Sequence, residues 1–247
     1  MIGGVAAAAA LAFGVWYFVF RDDSPPAVSL ERATESLDRE GGGRDDPTST
    51  TGASGSSSGS SSGLDGRWTV DQSIGSFADF TSSFAGFRVQ EELVGIGAKT
   101  AVGRTPKVTG SMTLQGTTIP EAAFEVDMTT LTTDDGRRDN AIRSQAIETS
   151  RFPRASFTLT EPISLDRLPA NGEKIRVDAK GDLTLHGTTK AVTFPLEAQR
   201  TGDTIAVVGS LTVPFADYSI SQPRAAAVLS VDDKGVIEVQ LFFTKAR

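Results

Sequence analysis

Apolar and polar residues alternate along most of the chain after Arg67, and this pattern limits the fold more than any other feature. The alternation is clear at residues 123–128, 155–160, 192–197 and 236–242. Successive side chains of a β-strand point to opposite faces, so each run predicts a strand with one apolar and one polar face. This part of the chain is therefore predicted to be all-β.

Short glycine-containing turns separate the alternating runs, for example Asn171-Gly172 and His186-Gly187. About eight strands with one apolar face each are predicted to form an antiparallel barrel, because closure leaves no exposed sheet edge. A β-sandwich would divide the same strands between two sheets, and periodicity alone does not separate these two folds. Residues 134–148 depart from the alternation, and their spacing predicts one short helix.

The first twenty residues carry no charge. As a helix they would extend about 30 Å, which matches the hydrocarbon thickness of a bilayer. Trp16 and Tyr17 lie near the end of the run, where membrane proteins place aromatic residues. We favour an uncleaved transmembrane anchor at residues 1–20 over a cleaved signal peptide or a buried helix. No basic segment precedes the run, and its bulky end is a poor cleavage site.

Residues 21–66 are predicted to be a juxtamembrane segment followed by a flexible linker. Residues 27–40 could form a short amphipathic helix, but we favour a solvated spacer. Residues 41–66 contain eight glycines and eight serines among 26 residues, too little apolar surface to offset the entropy cost of ordering. The folded domain is therefore predicted at residues 67–247.

Composition excludes several kinds of chemistry. The chain has no cysteine and one histidine, His186, so disulfides, thiolate metal sites and cysteine nucleophiles are excluded. With 31 acidic and 24 basic residues, the net charge of −7 disfavours nucleic-acid binding. His186 lies in a predicted turn with no visible catalytic partner, and we interpret it as an ordinary surface residue. We predict no metal, no cofactor and no enzymatic activity.

Large apolar side chains on the strand faces form either a packed core or the wall of a cavity. For a generic barrel the packed core is the more common outcome. These side chains are Phe87, Val89, Phe124, Val126, Met128, Phe157, Leu159, Phe194, Leu196, Phe215 and Phe242. Beside the predicted helix, Arg137-Arg138-Asp139 could form an ion-pair network, bind an anionic head group, or place acidic caps and exposed arginines at a helix end.

Several motifs occur in a recognisable order. They are Trp68-Thr69-Val70-Asp71, RDNAIRS at residues 138–144, Phe152-Pro153, GDLTLHGTTK at residues 181–190 and FADYSI at residues 215–220. Together they resemble the YceI-like family, over about residues 68–247. The chain departs from that family at Gln72-Ser73, where members often have His-Ser, and at residues 87–91, which lack a further histidine.

The resemblance implies an eight-stranded, lipocalin-like barrel whose apolar interior holds a long lipid chain, such as a polyisoprenoid or a quinone. It also implies a polar mouth or a structural motif at Arg138, Asp139 and Arg143. The family is usually extracytoplasmic, whereas the arginines that follow residues 1–20 favour a cytoplasmic domain. We favour a membrane-tethered, extracytoplasmic lipid-binding module. The alternative is a structural or interaction domain with a filled barrel, and the sequence leaves open whether the barrel forms a homodimer.

Overall fold

The computed structural model describes residues 24–41 and 63–246. Within them the chain forms a closed, eight-stranded antiparallel barrel with a short helix at one end, as the sequence predicted, and a further helix on its outer surface. The predicted anchor at residues 1–20 and most of the low-complexity linker lie outside the described residues. No helix in the described part of the chain combines the length and the apolar character needed to cross a membrane.

Two α-helices and twelve strands, with short 3-10 helices at Met128–Thr130 and Phe215–Tyr218, make up the regular structure of the described residues. The helices are α1 (Leu30–Gly41) and α2 (Gly136–Ala141), and a π-helical turn (Ile142–Ala146) continues α2. The strands are β1 (Gly66–Val70), β2 (Phe84–Leu93), β3 (Gly97–Thr105), β4 (Val108–Gln115), β5 (Thr118–Asp127), β6 (Arg154–Leu159), β7 (Ile163–Ser164), β8 (Lys174–Leu185), β9 (Thr188–Thr201), β10 (Thr204–Pro214), β11 (Val228–Val231) and β12 (Lys234–Lys245).

Strand β12 closes the barrel. One of its edges pairs with β10, and the other pairs first with β2, at residues 236–240, and then with β1, at residues 243–245. Strands β1 and β2 therefore share one position in the barrel, and their partners β4 and β3 share the next. The remaining order is β4-β5-β6-β8-β9-β10-β12. The closure distinguishes this fold from a sandwich, whose two sheets keep free edges.

The two ends of the barrel differ. We call the end that carries α2 and the His186-Gly187 turn the upper end, and the end that carries the turn at residues 202–203 the lower end. Strands β2, β3 and β11 extend beyond the barrel at the upper end. Strands β5 and β10 both end at the upper end. The helical connection from β5 to β6 and the connection from β10 to β12 therefore lie at the same end of the barrel.

Both faces of strand β12 are buried, one inside the barrel and the other beneath a second layer of chain on the outside. Ile237, Val239 and Leu241 face the barrel interior. Glu238 and Phe242 have the opposite parity and face outward, yet Glu238 is only 1% exposed and Phe242 is fully buried. A second layer of chain must therefore cover the outside of β12.

Helix α1 forms part of that layer. Leu30 and Ala33, on one face of the helix, are buried against Ala206, Val208 and Phe242 of the barrel. The interpretation of residues 27–40 as a solvated spacer is therefore wrong. The apolar spacing that could have indicated the packed helix was present, but sequence alone does not show the outward apolar patch that it covers.

A buried ion-pair cluster lies beside α1 and joins the N-terminal segment to the barrel. Glu238 pairs with Arg104 at 3.2 Å and with Arg88 at 3.7 Å, and it accepts a hydrogen bond from the Val28 amide. Arg104 also donates to the carbonyl of Pro26 at 2.8 Å. Burial is the largest influence on the Arg104 guanidinium and lowers its pKa below the usual value, against the opposing effect of Glu238.

The loop between β1 and β2 covers the rest of this cluster. The guanidinium of Arg104 lies over the rings of Phe80 and Phe84, 4.5 Å from each centroid. Phe80 adopts a left-handed backbone conformation, with φ of 58°, which is uncommon for a bulky residue. Gln240 holds the loop in place by donating to the carbonyls of Phe80 and Ser82.

We expect Glu238→Gln to destabilise the protein by about 3–5 kcal/mol, because it leaves the buried Arg104 and the partly buried Arg88 without their carboxylate. At roughly 2–4 °C per kcal/mol for a domain of this size, the melting temperature should fall by about 6–20 °C. Glu125→Gln is the control, since its pair with Arg154 is exposed and should change stability by less than about 1 kcal/mol. Thermal unfolding followed by tryptophan fluorescence measures both, and equal shifts in the two variants would contradict the prediction.

Candidate functional site

A cavity of about 310 Å³ runs through the barrel interior, and its wall is almost entirely apolar. The inward residues of the strands supply that wall. Most of the predicted wall residues line it: Phe87, Val89, Phe124, Val126, Met128, Phe157, Leu159, Phe194, Leu196 and Phe215. The prediction for Phe242 is wrong, because that ring lies on the outer face of β12 under α1.

The register of β12 explains this error. Alternation along the strand places Ile237, Val239, Leu241 and Phe243 on the cavity wall. Phe242 belongs to the other parity, so the sequence pattern itself could have excluded it. Phe243 was missed because two phenylalanines are adjacent and only one of them can face inward.

Small residues at inward positions were also missed, although they give the cavity its width. Ala122, Ala179 and Ala198 line the wall with the same parity as the aromatic residues near them. Alanine at an inward position fills little of the interior, so the barrel is left hollow where larger aliphatic residues would fill it. The sequence signal for these residues is their position: each alanine lies at an inward position of the alternating strand pattern.

Glycines determine where two of the phenylalanine rings lie. Gly103 faces Phe87 across the strand pair, and a Cβ atom at Gly103 would lie 2.3 Å from the ring. Gly110 faces Phe124 in the same way, and a Cβ atom there would lie 2.4 Å from that ring. Each ring covers the glycine backbone of the neighbouring strand. Any larger residue at either glycine would have to displace the ring.

An ion pair lies on the cavity wall at the upper end. Arg138 of α2 contacts Glu91 of β2 at 2.5 Å, and it also pairs with Asp134. Asp135 positions α2 by accepting the Arg137 amide as the N-cap. Burial, the largest influence, would lower the pKa of Arg138, but hydrogen bonding and the charge of Glu91 together raise it above the usual value. The guanidinium therefore stays charged, and acidic partners neutralise it.

Asp139 and Arg143 lie near this pair but do not line the cavity. Asp139 accepts hydrogen bonds from the amide and the hydroxyl of Thr133, at 2.7 and 2.8 Å. Arg143 pairs with Asp139 at 3.7 Å and donates to the Leu131 carbonyl at 2.8 Å. These contacts fasten α2 to the preceding loop, whose Leu131 does line the cavity. Of the three residues assigned to a mouth or structural motif, only Arg138 lies on the cavity wall.

His186 is buried rather than exposed, which corrects its interpretation as a surface residue. Its Nδ1 lies 3.0 Å from the carbonyl oxygen of Tyr218, and its Nε2 lies 2.9 Å from the carboxylate of Glu148. A backbone carbonyl only accepts, so Nδ1 carries a proton. The ring also contacts Phe152 edge-on, with centroids 4.4 Å apart. The imidazole thus joins the β8–β9 turn to two other upper-end segments.

Tyr218, whose carbonyl contacts His186, carries a buried polar group of its own. The hydroxyl of Tyr218 is buried and has no hydrogen-bond partner within residues 24–41 and 63–246. Its ring packs against Met128, Ile142 and other residues of the cavity wall. Burial raises the pKa of this phenol above its usual value, and the nearby charge of Asp217 adds to the effect. Across the described ranges, no group of three or more metal-binding side chains is placed to hold an ion.

Comparison with known proteins identifies the domain. The family model described as a YceI-like domain matches residues 68–243. A UPF0312 protein of Vibrio parahaemolyticus is 32% identical over 102 residues, which cover 38% of this chain and 50% of the relative. The match therefore spans about half the length of that relative.

Two solved structures have the same fold. A polyisoprenoid-binding domain from Saccharophagus degradans, implicated in plant cell wall breakdown, has a TM-score of 0.54 at 21% identity, and the match covers 72% of this chain and 98% of that one. BcnA of Burkholderia cenocepacia has a TM-score of 0.52 at 18% identity, with coverage of 70% and 98%. At these identities the likeness shows a common fold.

We expect Arg138→Met to destabilise the protein by about 3 kcal/mol, because it leaves Glu91 buried without its charge partner. The double variant with Glu91→Gln should recover much of that loss, since it removes the uncompensated charge. Arg137→Met is the matched control, because Arg137 is the exposed neighbour. Melting temperatures of the four proteins test this. A double variant no more stable than Arg138→Met would show that the ion pair does not cause the loss.

Proposed function

The chain belongs to the YceI-like family, and from that premise we propose that its barrel binds a single long, apolar lipid of the isoprenoid type. The observation that carries this proposal is the cavity along the barrel axis. Its volume of about 310 Å³ lies at the lower end of the range of about 300–1,000 Å³ typical of small-molecule sites. A lipid chain without polar atoms suits a wall made of aliphatic and phenylalanine side chains.

Burial of hydrocarbon supplies the affinity in this proposal. Each methylene group removed from water contributes about 0.8 kcal/mol, so a few isoprene units are enough for useful binding without a charged contact. The cavity extends from Leu168 and Pro169 at the lower end to Ile142 and Ile220 at the upper end. This length suits an extended chain better than a compact ligand.

The proposal assigns the polar end of the lipid to the upper end of the barrel. There Arg138 is neutralised by Glu91 and Asp134, which favours an uncharged head group such as a quinone or an alcohol over a diphosphate. The solved domain from Saccharophagus degradans, described as polyisoprenoid-binding, supports a ligand of this class.

Two other functions have less support. A filled structural barrel needs an interior occupied by side chains, whereas this interior contains a continuous apolar cavity. A hydrolase that used His186 as its base would need one ring nitrogen beside a nucleophilic hydroxyl. His186, the chain's only histidine, uses both ring nitrogens in hydrogen bonds to Glu148 and Tyr218. Catalysis therefore forms no part of the proposed function.

The proposed function includes attachment to a membrane through residues 1–20, with the barrel on the extracytoplasmic side. The absence of charge over twenty residues and the aromatic pair near their end support a single span. The usual location of the family supports the orientation. The arginines after the run oppose it under the positive-inside rule.

Ala122→Phe should weaken lipid binding at least tenfold, because the new ring occupies the cavity where the side chain of Ala122 lines the wall. The control is Ala123→Phe, since the adjacent side chain is exposed and lies on the other face of the same strand. Native mass spectrometry of the purified proteins, with added long-chain prenol or quinone, measures occupancy. Equal occupancy in the two variants would contradict an interior site, and no binding by the unmodified protein would contradict the function.

An alkaline phosphatase fused after Arg247 should be active, because that enzyme matures only outside the cytoplasm. Green fluorescent protein fused at the same position is the reciprocal reporter, because it becomes fluorescent when it folds in the cytoplasm. An inactive phosphatase fusion together with a fluorescent reciprocal fusion would place the barrel inside the cell, as the arginine count alone predicts.

A further inference from the structure

The N-terminal segment, residues 24–41, lies outside the part of the chain that matches the family model, yet it occupies a defined path along the barrel. It begins at the upper end, where Ser24 and Pro25 line a polar pocket of about 200 Å³ together with Leu93, Lys99 and Arg138. It then runs down the outer face of the barrel, and Glu31 pairs at 2.5 Å with Lys174, at the start of β8 near the lower end.

The contacts along this path are of the kind found in a protein core. Leu30 is fully buried, the carbonyls of Pro25 and Pro26 accept from Arg88 and Arg104, and the Val28 amide donates to Glu238. Release of the segment would expose apolar surface and remove backbone hydrogen-bond partners from Arg88, Arg104 and Glu238. The segment is therefore an integral part of the folded unit, and its first residues are held at the upper end.

This path changes the expected distance between the membrane and the barrel. Residues 21–66 were interpreted as a spacer between the two, but only four steps of chain separate Phe20 from Ser24. At about 3.5 Å per residue, those steps reach at most about 14 Å. The glycine- and serine-rich residues follow the docked segment in the chain, so they do not separate the charge-free run from the barrel.

The upper end also carries the two large apolar side chains that are most exposed among the described residues. Val94 is 54% exposed and Leu229 is 62% exposed. They lie on neighbouring chain segments, since the Val94 amide donates to the Ala227 carbonyl at 2.9 Å. Neighbouring exposed apolar side chains at one end of a protein offer a surface on which a bilayer interface can be contacted.

The charges around this tip indicate which kind of bilayer it fits. Glu92 precedes Val94, and Asp232 follows the strand that carries Leu229, and both are exposed acids. Lys99, Arg224 and Lys234 are basic residues in the same region, and Asp233 is a further exposed acid beside Asp232. The surface has no excess of positive charge, so a neutral, zwitterionic membrane suits it better than an anionic one.

We propose that the upper end of the barrel rests on the bilayer surface, with Val94 and Leu229 in contact with lipid, and that the docked N-terminal segment fixes this orientation. The Glu91–Arg138 end of the cavity then faces the membrane. Arg138 lines both the cavity and the polar pocket beside Ser24, so a lipid that leaves the bilayer meets this ion pair first. This inference rests on the proposed membrane attachment, and it adds the orientation of the barrel relative to the bilayer.

The absence of cysteine from the chain permits a direct test with single labelled cysteines. Val94→Cys and Leu229→Cys place an environment-sensitive fluorophore at the tip, and Asp203→Cys places it in the exposed turn at the lower end as the matched control. The full chain is reconstituted in phosphatidylcholine vesicles whose acyl chains carry a quencher. We expect at least threefold stronger quenching at positions 94 and 229 than at position 203.

A second comparison tests the role of the segment. Leu30→Asp places a charge in the buried seat of α1 and should release the segment, so that quenching at position 94 falls to the level at position 203. Arg32→Asp introduces the same side chain on the exposed face of α1 and should leave quenching at position 94 unchanged. Retained quenching at position 94 in Leu30→Asp would overturn the assigned role of the segment.

Separate measurements distinguish a failure of this geometry from a failure of the proposed function. Flotation with the vesicles reports membrane attachment, and native mass spectrometry reports lipid in the barrel. A chain that floats, and is quenched equally at positions 94, 229 and 203, overturns the orientation and leaves attachment standing. A chain that does not float overturns the attachment and the orientation together, whatever its barrel binds.

Discussion

Hydrogen bonding along both edges of β12 closes the sheet, and most other features of the molecule are consequences of that closure. A closed sheet of eight strands fixes the diameter of its interior, so the two sides cannot approach each other to exclude space. The interior is full only where inward side chains are large. Here alanines occupy inward positions, and Phe87 and Phe124 cover the glycines of neighbouring strands. Closure with these side chains therefore produces a hollow, apolar barrel.

Because the interior is hollow, some of the side chains whose burial stabilises the fold lie on the outer face of the barrel. The outward face of β12 presents Glu238, Gln240 and Phe242, all of them buried. A buried carboxylate and a buried amide need hydrogen-bond partners, because leaving either one unpaired would destabilise the fold by several kcal/mol. The β1–β2 loop and the N-terminal segment supply those partners. The segment that precedes the family domain is thus required by the polar residues it covers.

The sequence predicted the fold well because the strands alternate with period two and the turns contain glycine, both of which are local signals. It predicted most of the cavity wall for the same reason. It failed where the outcome depended on distant chain segments. The seat of Leu30 is formed by β10 and β12, and the partners of His186 lie at positions 148 and 218. Phe242 is the exception among the local signals, because its size favours the interior whereas its register on β12 places it outward.

The order of the strands brings an ion pair, a buried histidine and a buried tyrosine to one end of the barrel. Strands β5, β8 and β10 all run towards the upper end, so α2, the turn that contains His186 and the segment with Tyr218 meet there. Arg138 and Glu91 meet at the same end because β2 extends beyond the barrel. The lower-end wall includes Leu64, Leu168 and Pro169, with Gln199 and Arg200 as its polar members. The buried ion pair therefore distinguishes the upper end from the lower end, and the direction of the strands, rather than any single binding residue, determines where that pair lies.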